Sequence, residues 1–457
     1  LVRAFCFEGE TTMSKNPIIP RPPKGMRDFL PATMLKRDYV FNIIQDVFHL
    51  FGFEPLQTPV IELSETLMGK YGEDAENLIY SVKHGRSSKD DELAMRYDLT
   101  VPLARVVAQY ENELTFPFKR YQISPVFRGE RPQKGRYREF YQCDADIVGV
   151  ADMSADAEVL AVIVTALQRL GFPQFTVKIN HRQLLTAIGQ YSGVPDDQLP
   201  DLYRSVDKFD KIGAKGVHKE LVERGVDGAA VDRMMALISE QRPGAENLSY
   251  LDDVLGDLPH AKSSLQDLRE LAQYLSDSGV NQENYEFDLT MVRGLGYYTG
   301  PIYETVIKEP NLGSVTGGGR YDGLIGLFRK ESLPTTGISF GLERIIDLMD
   351  ELNLYPENLG GTVVQVLVTV FGEDTRRESI KLAADLRRAG INTELFMEDR
   401  KLGKQFAHAD KKGVPLVAVL GPEEIKQGIV SLKRLADGKE ITANRQDIGS
   451  AAHELLK

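Results

Sequence analysis

Cysteine is scarce in this chain: Cys6 and Cys143 are the only two in 457 residues. That excludes a disulfide framework and any paired-cysteine metal site, and it fits a reducing cytoplasm. Long apolar runs are missing too. None approaches the roughly 18 residues needed to cross a bilayer, so a membrane protein is not expected. The opening LVRAFCFEGETT is too short and too interrupted by charge for a secretory signal, and the folded protein is expected to begin behind it, near Met13. No GxxxxGK[ST] loop or GxGxxG turn follows a strand-like segment, so phosphates are not expected in a glycine-rich nest. Positive charge is in deficit: 55 Lys and Arg face 67 Asp and Glu, for a net charge of −12. This disfavours unspecific nucleic-acid binding, although a local basic surface can still hold one RNA.

What is present is ordinary globular material, 42% apolar and 27% charged, in a chain long enough for two or three domains. Residues 361–457 carry 16 Lys and Arg against 14 Asp and Glu, which leaves 39 against 53 in the rest. The balance therefore shifts from −14 to +2 at a point where YPENLGGT reads as a linker. Before it, residues 31–53 carry apolar Tyr39, Phe41, Ile44, Val47 and Phe48 near helical spacing, and Gly52 closes the pattern. An extended segment at 53–61, a strand running into a helix at 93–110, a helix at 154–170 and a strand at FTVKIN follow. Between His181 and Asp277, short charged helical stretches joined by Gly and Pro suggest a helical insertion. Strand character returns at NYEFDLTMVRGLGYYTGPIYETVI. Past the linker, VVQVLVTVF, a helix at 374–388, INTELFM, a helix at 401–412, VPLVAVLG and IVSLKRL alternate as in a small α/β domain.

The chemistry concentrates in YQISPVFRGERPQKGRYREFYQ, residues 121–142. Its turn gathers Arg128, Arg131, Lys134, Arg136 and Arg138 around Pro132 and Gly135, with Phe127 and Phe140 on the flanks. Guanidinium forks match phosphate oxygens, and an aromatic face can stack a base, so a nucleotide polyphosphate is the expected ligand. On that reading Arg128 clamps an α-phosphate, Arg136 a terminal phosphate, and Phe140 lies under the purine. The alternative is a solvated charged loop. Arg344, in the first turn of the helix in GLERIIDLM, would cover the other purine face, or else pair with an acid such as Asp347. Arg293 sits among glycines and aromatics and needs an anion, either a substrate group or Asp288. Tyr297 and Tyr298 beside it suit a polar ring-bearing ligand or plain core. RYDLTVP and YQCDADIVG contribute Asp98, Thr100, Gln142 and Asp146, acceptors for an ammonium or imidazole N–H, or partners of nearby arginines. GGGRYDGL reads as a tight turn or a close backbone approach to a ligand, with Tyr321 pointing into the pocket.

At these residues the chain resembles the class II aminoacyl-tRNA synthetases, and among them the histidyl-tRNA synthetase family. PPKGMRDFLP with the helix and strand behind it resembles the first class motif, FRGERPQKGRYREFYQ the second and GISFGLERII the third. RGLGYYTGPIYE and GGGRYDGL resemble the two histidine-specific signatures. The resemblance runs from Pro22 to the C-terminus. It implies an N-terminal extension at 1–21, a catalytic domain at 22–180 and 281–355 with a large antiparallel sheet flanked by helices, a helical insertion at 181–280, and a C-terminal α/β anticodon-binding domain at 362–457. The implied activity is a histidine–tRNA ligase, acting on ATP with Mg²⁺, L-histidine and tRNA(His), as a cytoplasmic homodimer whose interface is built by the first motif.

Carried over residue by residue, the resemblance makes Arg128 and Arg293 the catalytic pair across the α-phosphate. Glu130 and Arg136 bind ATP, and Phe140 and Arg344 sandwich the adenine. Asp98, Thr100 and Gln142 receive the α-amino group, Asp146 and Tyr298 bracket the imidazole nitrogens, and Tyr297 and Tyr321 line the ring pocket. Arg131, Lys134 and Arg138 are left to divide between the phosphate tail and the incoming tRNA end. One departure stands out: the family usually reads RGLDYY, and Gly296 replaces the acid here, which is expected to loosen the strand and tune the site. Two rivals share the fold. One is the regulatory subunit of ATP phosphoribosyltransferase, which typically lacks the C-terminal domain and parts of the arginine set; the other is a synthetase-like sensor of uncharged tRNA, usually embedded in a longer chain.

Overall fold

The computed structural model describes residues 19–457 except 72, 84–91, 241, 243, 293–296, 358 and 399. Eleven strands precede the linker among these residues. They are β1 (Glu54–Pro55), β2 (Ile61–Leu63), β3 (Ser81–Val82), β4 (Leu93–Met95), β5 (Phe118–Phe127), β6 (Glu139–Val148), β7 (Thr176–His181), β8 (Tyr285–Phe287), β9 (Pro301–Val306), β10 (Thr316–Arg320) and β11 (Thr335–Gly341). Eight of them form one sheet in the order β1-β5-β6-β11-β10-β9-β7-β8. Its inner strands, from β5 across to β7, are antiparallel, while the edge strands β1 and β8 pair in parallel. The large antiparallel sheet expected from the sequence is thus present, with two parallel edges added. The small sheet β2-β4-β3 lies outside it and leads the chain to Asp98.

The charged stretch at 121–142 is a hairpin. β5 and β6 pair over ten positions, from Phe118 opposite Val148 to Phe127 opposite Glu139, and residues 128–138 form the loop. Helix Pro31–Leu50 begins on its proline, whose missing N–H is one that no first turn needs. It buries Ile44, Val47 and Phe48, and also Arg37, which its apolar spacing did not reveal. Helix Ser154–Arg169 buries Val159, Leu160, Val162 and Ile163, each contributing about 1.5–3 kcal/mol. The segment GGGR is neither a tight turn nor a loop. It is strand β10, squeezed so closely against β11 that a Cβ at Gly318 would stand 2.8 Å from the Ile338 Cα. Close backbone approach is real here, but the near neighbour is another strand.

Between β7 and β8 the chain forms helices Arg182–Ser192, Leu199–Val206, Phe209–Glu223, Gly228–Ser239, Gly244–Leu255 and Pro259–Asp277. Their buried apolar side chains, among them Leu185, Met234 and Leu268, are continuous with the core of the large sheet. The strand expected through 285–306 is interrupted: β8 stops at Phe287 and β9 starts at Pro301. Beyond the linker come β12 (Val366–Val368), β13 (Thr393–Leu395), β14 (Leu416–Val419), β15 (Ile429–Arg434) and β16 (Glu440–Asn444), in the order β13-β12-β14-β15-β16. Helices Glu373–Arg388, Leu402–Lys412 and Ile448–Leu456 accompany them. This α/β unit has its own core, with Val366, Leu382 and Leu416 in one cluster and Leu367, Phe396 and Val417 in another. Among the described residues no helix is long and apolar enough to cross a membrane.

Candidate active site

The hairpin, the β10–β11 pair and the first turn of helix Leu342–Leu352 enclose a cavity of about 340 Å³. Twelve of the thirteen residues given catalytic, ATP-binding or histidine-binding roles from the sequence line it. Arg293 is the exception and, like Gly296, lies outside the described residues.

Arginines and an aromatic ring form one group. Arg128 donates from Nε to the Tyr97 carbonyl at 3.1 Å, and its guanidinium stands 4.3 Å from the Tyr97 ring and 5.1 Å from the Phe140 ring. Arg136 forms an ion pair with Glu130 at the exposed end of the loop. Arg344 reaches across from its helix to donate to the backbone carbonyls of Ser314 at 2.7 Å and Gly135 at 3.3 Å. Gly135 and Gly313, both with positive φ, give that guanidinium room: a Cβ at either would stand 3.4 Å from the Arg344 side chain. The other loop cations behave differently. Arg138 donates to the carbonyls of Glu130 and Lys24, and Lys134 pairs with Glu351 on the helix. Neither lines the cavity, nor does exposed Arg131. The expected division of these three between phosphate and RNA is therefore unsupported for Arg138 and Lys134, which tie the hairpin to the protein.

Acids and tyrosines form the second group. Asp98, 1% exposed, accepts at Oδ1 from the Tyr71 hydroxyl at 2.8 Å and the Val101 N–H at 3.1 Å, while its Oδ2 meets no donor among the described residues. Thr100 is hydrogen-bonded to Tyr297. Gln142 donates to Ser339 Oγ at 2.9 Å, which leaves its Oε1 free of any described donor. Asp146 accepts from the Tyr321 hydroxyl, and its Oδ2 lies 2.8 Å from Nη2 of Arg120, a guanidinium with no exposed surface. The Tyr297, Tyr298 and Tyr321 rings stand 5.0 to 6.5 Å apart, forming one wall.

Several of these groups, Asp144, Arg120 and Tyr71 above all, were not read from the sequence. Asp144 belongs to the same strand face as Gln142 and Asp146, so the period-two spacing of β6 carried the signal for it. Burial pushes its carboxyl up to about 7, Arg120 opposes that shift and Asp146 adds to it. Asp98 and Asp146 are also raised by burial, against the pull of Arg128 and Arg120 respectively. Burial and the three carboxylates together push the Tyr298 hydroxyl up. A cavity whose acids are held above their ordinary range by desolvation is poised for a cationic ligand. Behind the sheet, buried Asp156 accepts from Arg320, Tyr303 and Thr336, fastening helix Ser154–Arg169 to β9, β10 and β11.

A mainly antiparallel sheet that carries an arginine-and-phenylalanine grip beside a buried acidic pocket, with a separate α/β unit after it, has the architecture of a class II aminoacyl-tRNA synthetase. Residues 25–345 match the family model of histidyl-tRNA synthetase, and residues 365–455 match that of the anticodon binding domain. A histidine–tRNA ligase of Aeropyrum pernix is 43% identical over 439 residues, covering 96% of this chain and 98% of the relative. One of Bacteroides fragilis is 40% identical over 449 residues, covering 94% and 98%. The crystal structure of histidyl-tRNA synthetase from Nostoc sp. PCC 7120 superposes with a TM-score of 0.84 at 31% identity, covering 96% of this chain and all of that one. The chain belongs to the histidyl-tRNA synthetase family.

Proposed function

We infer that this chain is a histidine–tRNA ligase, which activates histidine with ATP and transfers it to the 3′ end of tRNA(His). The observation that carries the reading is the meeting, in one cavity, of a guanidinium-and-aromatic grip with buried acceptors that lack donors among the described residues. In the proposed chemistry the histidine carboxylate attacks the α-phosphate in line, the adenylate forms and pyrophosphate leaves. Charge on the α-phosphate is met by Arg128, with Arg293 as its proposed partner. Glu130 and Arg136 hold the phosphate tail, and Phe140 and Arg344 enclose the adenine. Asp98, Thr100 and Gln142 take the α-ammonium; Asp146 and Tyr298 read the ring nitrogens within the wall of Tyr297 and Tyr321. A terminal ribose hydroxyl of the tRNA then attacks the adenylate carbonyl and AMP departs. No side chain serves as nucleophile.

Among the described residues no cluster of three His, Cys, Asp or Glu side chains is assembled to hold a metal by itself. Mg²⁺ therefore enters the proposal as the magnesium complex of the ATP substrate, neutralising the phosphate tail. The reading extends to a homodimer, on the strength of the PPKGMRDFLP segment, and to the cytoplasm, which suits a chain with two cysteines. Against the regulatory-subunit alternative stands the anticodon-binding match over residues 365–455. The test is pyrophosphate exchange into ATP, screened with each amino acid. Exchange with histidine alone is expected; a folded protein that gives none with histidine overturns the reading.

A further inference from the structure

The proposed function uses Gln142 and Asp146 of β6 and leaves Asp144 between them without a role. Asp144 is 2% exposed and lines the cavity, and its Oδ1 meets no donor among the described residues. It stands opposite Ser339 of β11. The Ser339 hydroxyl accepts from Gln142 at 2.9 Å and is also hydrogen-bonded to Asp144. One hydroxyl thus links the two side chains, and each keeps an acceptor to spare: Oε1 of Gln142 and Oδ1 of Asp144. Asp98 Oδ2 and Asp146 Oδ2 are the other such oxygens among these residues. Asp146 Oδ2 already lies 2.8 Å from Arg120 Nη2, its Oδ1 accepts from Tyr321, and Thr100 is hydrogen-bonded to Tyr297.

An ammonium group carries three N–H donors and is best held by three acceptors. We propose that Asp144 is the third acceptor of the substrate's α-ammonium, beside Asp98 and Gln142, and so a binding residue in its own right. This rests on the histidine-ligase reading and adds a residue to it. The charged and titratable groups that act on Asp144 are Arg120 from β5, Asp146 from the same face of its own strand, Asp98 and Arg96 from the segment after β4, and Tyr297 and Tyr298 from the segment before β9, with Cys143 on the opposite face of the strand. Burial raises the Asp144 carboxyl to about 7. An arriving ammonium favours the carboxylate, so the proton passes to solvent as the cation binds.

The test compares L-histidinol, which keeps the amine and ring but cannot be adenylated, with its des-amino analogue 3-(imidazol-4-yl)propan-1-ol, by calorimetry on the full chain. In Asp144→Asn, affinity for histidinol is expected to fall by roughly 10- to 100-fold, the worth of a hydrogen bond to a charged group. Affinity for the des-amino analogue should stay within about threefold, since it offers no ammonium. The wild type at pH 7 is expected to release more protons with histidinol than with the analogue, as read in buffers of different ionisation enthalpy. Equal losses for both ligands, or none for histidinol, overturn the assignment while leaving the ligase reading intact. A wild type that binds neither ligand overturns both. Should the variant fail to fold, the proton count decides: no excess release with histidinol refutes the proposal.

Discussion

Gly337→Ala isolates the ring end of the pocket from its nucleotide end. A methyl at this position in β11 would fall on the Asp146 carboxylate, 2.0 Å from its Oδ1 and 2.6 Å from its Cγ, where an ordinary contact begins near 3.4 Å. The carboxylate must therefore draw its Oδ1 back by about 1.4 Å. Its 2.8 Å approach to Arg120 and its hydrogen bond from Tyr321 leave it little freedom to do so without breaking one of them. A hydrogen bond to a charged group contributes about 1.5–3 kcal/mol, and the methyl also intrudes on the ring, so a loss of about 2–4 kcal/mol in histidine recognition is expected. That corresponds to roughly a 30- to 900-fold fall in kcat/KM for histidine. Phe140 packs on Arg128, Arg136 binds Glu130 and Arg344 donates to Gly135, so KM for ATP should hold within about twofold. Pyrophosphate exchange with each substrate varied in turn measures both. A parallel rise in the two KM values would refute the reasoning, as would an unchanged KM for histidine.

Replacing Asp156 by Ala removes the buried carboxylate of Arg320 and leaves it only the longer 3.5 Å approach to half-exposed Asp322, so about 3–5 kcal/mol of stability should be lost, as read by urea denaturation. Asp144 makes stability pH-dependent in the direction opposite to a surface acid. Its carboxyl is raised from 3.8 to about 7 on folding, so its contribution is fully present below 3.8 and lost as pH climbs to 7. The shift is worth on the order of 4 kcal/mol. Asp144→Asn should therefore raise the Tm of the ligand-free protein at pH 8 and do so less at pH 5; a larger gain at pH 5 would contradict the sign. Deleting residues 362–457 should spare histidine-dependent pyrophosphate exchange while severely weakening tRNA charging, and equal loss of both would contradict a separate role for that unit.

The hairpin, the long first helix and the alternating C-terminal unit were legible because each carries its period within a short window. Arg128, Phe140 and Arg344 could be read as one site, although more than two hundred residues separate the hairpin from the helix, because motif spacing stands in for the missing geometry. Asp144 was within reach, two residues from each of two chosen neighbours on one strand face. Arg120, Asp156 and Arg320 were not: a buried charge declares itself only through its partner, and these partners come from distant strands. GGGR misled for a related reason, since the feature that demands glycine is the neighbouring strand β11. The loop cations show the opposite error, with five charges read as one device when two of them serve as ties.

One of those ties, through Arg138, runs to residues 24–25. Arg138 donates its N–H to the Gly25 carbonyl at 2.9 Å opposite the charged loop, and Arg27 lies 3.3 Å over the Tyr137 ring. Arg27 and Arg37 together grip Glu343, the residue next to Arg344, with Arg37 at 2.8 and 2.9 Å. Residues 24–37 thus act as a strap slung between the hairpin loop and the helix that carries Arg344, fixing their gap from outside the cavity. A jaw held in this way cannot swing without stretching the strap, so the width of the cavity between Phe140 and Arg344 is set by a segment that does not line it.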